Sequence, residues 1–135
     1  MNPPAANLER IGALRVLIAW ANPCTDVWPI ISGIGAEVIS ILNDLRGLPA
    51  SHFQVHVLDH ATKSKLAQVM HEWRPHVLHY AGHGGFPGAP DDPGDLKAPS
   101  LVLEGKHTPA GHCYDYLAAD ELRELCTDSI VQRWA

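Results

Sequence analysis

Residues 76–85 read HVLHYAGHGG. The apolar run from Val77 to Ala81 breaks abruptly into glycines, the pattern of a strand whose carboxyl end opens onto a site in an α/β sheet. Pro75 closes whatever helix precedes it. Reading backward, Thr62 suits an N-cap, and Leu66, Val69, Met70 and Trp73 place an apolar stripe on a helix over 62–73. The stretch FQVHVL at 53–58 alternates Phe53, Val55 and Val57 with polar residues before Leu58, which predicts a second strand.

Further back, ALRVLIAWA at 13–21 carries a single charge in an otherwise unbroken apolar run, as expected of a strand buried on both faces of a parallel sheet. Asn22, Pro23, Cys24, Thr25 and Asp26 make a turn-rich loop, and Pro29 suits the first turn of a helix. From Ile30 the apolar residues Ile31, Ile34, Val38, Ile41, Leu42 and Leu45 recur at intervals of three and four, so a helix is expected over 29–46, ending near Gly47. Strand, helix, strand, helix and strand with short connections predict parallel pairing through right-handed crossovers. An α/β layered fold follows.

Forward of the glycines, Gly84 to Pro99 is so rich in Gly, Pro and Asp that an irregular, mobile surface loop is expected. SLVLE at 100–104 predicts a brief strand closed by Gly105. After a second irregular stretch, AADELRELC at 118–126 predicts a short helix with acids in its first turn, where the helix dipole favours them. Ile130 and Val131 hint at a further strand.

The 135 residues suffice for one core, read here as an N-terminal extension over 1–12 and a domain over 13–135. A composition 46% hydrophobic and 19% charged is that of a globular chain. The formal charge of -5 without a basic cluster argues against nucleic-acid binding driven by phosphate neutralisation. No apolar run approaches a membrane span and no secretory leader is evident, and three widely spaced cysteines form neither a disulfide framework nor a metal knuckle. A cytoplasmic protein without membrane contact is expected.

His83 stands out because it follows a buried strand at the edge where α/β sites form. An imidazole titrates near neutrality and can take a proton from a thiol or hydroxyl, while Gly82 and Gly84 let a substrate approach the backbone. The amide of Gly84 is placed to help hold an oxyanion. The plain alternative is a histidine in a glycine turn with no chemistry. His76 and His79 are expected on opposite faces of one strand, which spoils a shared ligand set, so no metal and no cofactor are expected. HGGFPG resembles the oxyanion loop of α/β-hydrolases, but the chain contains no GxSxG elbow.

His79, Tyr80, Ala81, Gly82, His83 and Gly84 spell HYAGHG, which resembles the histidine motif of CHAT domains, relatives of caspases and separases. LRVLIAW, RPHVLHYAGHG, SLVLEG and LAADELRELC also follow in the order that family places such elements, over roughly residues 13 to 126. The resemblance implies a three-layer α/β sandwich with a mostly parallel sheet and caspase-like topology, with His83 as the base and Gly84 as an oxyanion donor. It also implies a cysteine nucleophile on a strand after the last helix. TDSIVQRWA at 127–135 holds no cysteine, so the chain is expected to end before that strand.

Of the cysteines present, Cys126 reads as a packed residue, Cys113 as a thiol in an irregular segment, and Cys24 as a thiol at the correct edge of the sheet to which the family pattern gives no role. Two functions compete. One is a part of a cysteine endopeptidase whose thiol comes from a further segment or a second polypeptide, inactive alone. The other is a noncatalytic module that binds a protein or peptide partner. Without the cysteine strand, the third strand would present a free edge suited to self-association or strand addition.

Overall fold

The structure, a computed structural model, describes residues 13–105 and 114–127. Three parallel strands form the centre: β1 (Leu14–Trp20), β2 (Phe53–Leu58) and β3 (Val77–Ala81), in the spatial order β2-β1-β3. Val16 of β1 faces Val55 of β2 on one side and Val77 of β3 on the other. The central strand is therefore the one buried on both faces, as its unbroken apolar run requires, with Leu17, Ile18 and Ala19 fully enclosed.

The two faces of this sheet bury different helices. Val16 and Ile18 pack with Ile34 and Val38 of helix α1 (Ile34–Arg46), joined by Ile31, Ile41, Leu42 and Leu45. Leu17, Ala19 and Leu58 pack on the opposite side with Leu66 and Met70 of helix α2 (Lys63–Glu72), together with Val69 and Trp73. Both stripes are those expected from the spacing. Full burial of each such aliphatic side chain contributes about 1.5–3 kcal/mol before chain entropy is subtracted. Thr62 caps α2 by accepting the Lys65 amide at 3.2 Å.

Helix α1 starts later than expected. Residues 29–33 are not helical; Gly33 caps the helix from a left-handed conformation at φ 94° that glycine adopts without strain. The reason lies upstream. The Asn22 side chain accepts the Ile31 amide at 2.8 Å and donates to the Ile31 carbonyl at 3.0 Å, and Thr25 Oγ1 accepts the Trp28 amide at 2.8 Å. These bonds hold residues 22–31 as a folded loop and take the groups a helix would need.

The expectation of a mostly parallel sheet needs correction. Half of the described strands belong to a second, antiparallel sheet of β4 (Gly84–Gly85), β5 (Ser100–Glu104) and β6 (Tyr114–Ala118), in that order. Gly84 and Gly85 pair with Leu101 and Ser100, so the expected irregular loop begins with a strand, and its Leu96 is buried rather than exposed. YDYLA at 114–118 alternates about Leu117, but its two tyrosines and an aspartate hid it among turn residues. Leu103 and Leu117 of this second sheet enter the same core as α2, on the side that also receives Leu122, Leu125 and Cys126 of helix α3 (Ala119–Thr127). The α/β class stands. The hint of a strand at Ile130 and Val131, and the residue Cys113, lie outside the described residues.

Candidate functional site

The chain leaves the parallel sheet at Ala81 and enters the antiparallel one at Gly84, so Gly82 and His83 form the junction between the two sheets. Three bonds fix this junction. The Tyr80 hydroxyl lies 2.9 Å from the His83 carbonyl oxygen and 2.8 Å from that of Val102, and the Val102 amide donates to His83 at 3.0 Å. Burial raises the Tyr80 pKa far above its ordinary range, which keeps the hydroxyl protonated and donating.

The His83 ring is oriented from two directions. Its Nε2 lies 2.7 Å from the carbonyl oxygen of Pro29, and its ring centroid lies 5.2 Å from that of Trp28. A carbonyl oxygen only accepts, so Nε2 carries the hydrogen and the neutral ring keeps its lone pair on Nδ1. The loop over 22–31 thus presents a tilted aromatic ring and a hydrogen-bond acceptor to one imidazole from two consecutive residues.

Gly84 follows His83 directly. Because the Val102 amide bonds the His83 carbonyl, Gly84 and Leu101 face each other as a non-hydrogen-bonded pair. In such a pair both backbone amides point away from the partner strand. The Gly84 N–H is therefore turned from β5, next to the histidine.

Cys24 is exposed and Cys126 half-buried on α3, and neither is hydrogen-bonded to His83. Burial raises the Cys126 pKa, which suits a packed thiol rather than a nucleophile.

His76 and His79 have separate duties. His76 is buried just before β3, where its Nδ1 accepts the Arg15 amide at 2.8 Å while its own amide donates to the Arg15 carbonyl at 2.8 Å. It precedes the strand instead of sharing it with His79, whose Nε2 sits 3.8 Å from Glu37 of α1. Among the described residues no three His, Cys, Asp or Glu side chains gather as metal ligands would.

A family model described as the CHAT domain matches residues 4–132, nearly the whole chain. The chain belongs to the CHAT domain family. No curated protein matches it. That family is caspase-like, and among the described residues of this CHAT domain no helix is long and apolar enough to cross a membrane.

Sequence reasoning singled out His83 and Gly84 but missed the groups that contact the imidazole. Trp28 and Pro29 lay in an expected helix start, and the signal that they form a turn was the side chains of Asn22 and Thr25 just before them.

Proposed function

We propose that this CHAT domain contributes the base and an oxyanion donor to a caspase-like cysteine endopeptidase site, with the thiol supplied from outside the described residues. The observation that carries the reading is the 2.7 Å contact from His83 Nε2 to the Pro29 carbonyl. It leaves Nδ1 as the proton acceptor, which is what an activated thiol requires of its base. Pro29 also stabilises the imidazolium formed when His83 takes the proton, since its oxygen remains an acceptor for Nε2–H.

The chemistry then has a defined sequence. A thiol hydrogen-bonded to Nδ1 loses its proton to His83 and attacks the peptide carbonyl carbon. The carbonyl oxygen gains negative charge and is held by the Gly84 N–H. His83 returns the proton to the departing amine as the C–N bond breaks, leaving a thioester that water hydrolyses. The edge of β3 opposite β1 carries no strand among the described residues. A parallel strand added there would end beside His83, which is where the thiol belongs.

The test is labelling of the protein, purified together with whatever polypeptide accompanies it in its source, by an electrophilic peptide ketone that traps activated thiols. A positioned general base contributes about 100- to 10,000-fold. His83→Ala is expected to slow labelling by at least the lower of those factors. Labelling that ignores His83, or none at all, would refute the peptidase reading. The second reading, a noncatalytic module, rests on the same bare edge of β3, which offers a partner strand a row of backbone groups.

A further inference from the structure

We propose that Asp95 is a positioning residue for His83, acting through Tyr116 and Trp28. Asp95 lies in the loop between β4 and β5, and its carboxylate closes a chain of hydrogen bonds that ends at the Trp28 indole, whose ring in turn meets the imidazole. Oδ1 accepts the Tyr116 hydroxyl at 2.6 Å and Oδ2 accepts the Tyr114 hydroxyl at 2.9 Å. With its proton committed to Asp95, the Tyr116 oxygen is left to accept, and it takes the Trp28 indole N–H at 3.0 Å. The Trp28 ring meets Tyr116 edge-on, at 85° between ring planes, and also meets the His83 ring.

The packing around Trp28 makes the chain stiff. Trp28 is 2% exposed and shares a small core with Leu96 and Val102. Leu96 is the neighbour of Asp95, so the same loop grips the indole by an apolar side chain and by a carboxylate. Gly85 allows this approach, since a β-carbon there would lie 2.7 Å from Leu96 and 3.2 Å from Trp28. Consecutive hydrogen bonds that polarise in one direction reinforce each other. Burial, followed by the bond to Asp95, raises the Tyr116 pKa far above its ordinary range, so its hydroxyl remains a donor throughout the physiological span.

Trp28 and Pro29 are adjacent in the chain, and that adjacency gives the clamp its effect. A shift of the indole removes the aromatic neighbour of His83 and displaces the carbonyl that fixes its tautomer at the same time. Asp95 therefore governs both contacts while touching neither. The inference rests on the reading of His83 as the base only for its catalytic meaning; the clamp on the ring is measurable without catalysis.

The experiment is nuclear magnetic resonance of the whole chain with labelled histidines, the His83 ring signals being assigned by their loss in His83→Asn. In the native protein the Trp28 ring current displaces the His83 ring protons, and the nitrogen shifts report a single Nε2–H tautomer. Asp95→Ala and Tyr116→Phe are expected to abolish at least half of that displacement and to mix the tautomers. Asp95→Asn keeps an oxygen for the Tyr116 proton and restores both signatures. Tyr114→Phe, which removes the other arm of the carboxylate, leaves them in place. Unchanged His83 signals in folded Asp95→Ala or Tyr116→Phe overturn the proposal, as does a loss in Asp95→Asn as large as in Asp95→Ala. If Asp95→Ala does not fold, the Asn and Phe variants decide. Thiol labelling that ignores His83 refutes the peptidase reading and leaves the ring clamp as a structural fact, so the two failures are distinguishable.

Discussion

The Tyr80 hydroxyl occupies the space that a β-carbon at Gly82 would need. The Ala21 carbonyl oxygen stands 2.8 Å from the same point, so the turn before His83 is closed on one side by a side chain and on the other by backbone. The hydroxyl is also bonded to the carbonyls of His83 and Val102 and cannot retreat without breaking those bonds. Gly82→Ala should therefore cost about 1–3 kcal/mol, the range of overpacking in a tight site. Tyr80→Phe in the same chain should recover part of it. Urea unfolding midpoints check both, and a loss below about 0.5 kcal/mol for Gly82→Ala, the range of ordinary surface changes, contradicts the claim.

His76 predicts a pH dependence with a definite sign. Burial, then the charge of Arg15, lowers its pKa below the ordinary 6.5, and its Nδ1 accepts a backbone amide only when unprotonated. The folded state thus binds fewer protons than the unfolded chain just below that value. The contribution is fully present above 6.5, is lost as pH falls through 6.5 toward the lowered folded value, and is gone below it. Stability should drop between about pH 7.5 and about pH 5.5, and His76→Gln should flatten that slope. An equal slope in the variant would assign the effect elsewhere.

Neither thiol among the described residues is hydrogen-bonded to His83. At about pH 6 an ordinary thiol is almost wholly protonated, so alkylation of Cys24 and Cys126 should be slow and identical in His83→Ala. Raising the pH should label exposed Cys24 well before Cys126, whose pKa is raised by burial. Peptide mapping by mass spectrometry reads each site. Rapid, His83-dependent labelling of either one would show an activated thiolate within the chain itself.

Glu104 ties the second sheet to the edge of the first. Its amide donates to Ala61 at 2.9 Å, and its carboxylate meets the Asn22 amide at 3.3 Å and His60 Nδ1 at 2.8 Å. The His60 side chain is 62% exposed, so that ion pair contributes at most about 1 kcal/mol. Glu104→Ala should cost about 1 kcal/mol, chiefly by stranding the half-buried Asn22 amide, whereas Glu104→Gln should stay within about 0.5 kcal/mol. Denaturant titration at low and high salt separates the charge from the hydrogen bond.

The parallel centre was legible because its signals are local and regular. The run around Leu17, the stripe of Leu66, Val69, Met70 and Trp73 and the Thr62 cap each answer to one dominant force, burial or capping. Of the second sheet only its middle strand, SLVLE at 100–104, was legible, and the two strands flanking it were not, for the opposite reason. Gly84 and Gly85 have no side chains with which to announce a strand, and Tyr114 and Tyr116 are placed by hydroxyl bonds to Asp95, about twenty residues earlier, which no periodicity reveals. At the site, glycines around a histidine drew attention to His83. Its acceptor, a backbone carbonyl on Pro29, leaves no trace in residue type.

The central position of β1 bears on how the chain is made. Its Val16 must find Val55 and then Val77, both encoded far downstream, so the first strand emerges from the ribosome long before either neighbour. Such long-range pairings delay folding and leave apolar surface uncovered meanwhile. The segment that completes the sheet runs directly into His83. During synthesis, then, the strand that first gives β1 both of its partners delivers His83 to the sheet edge in the same stroke, and no earlier nascent chain carries a finished centre without it.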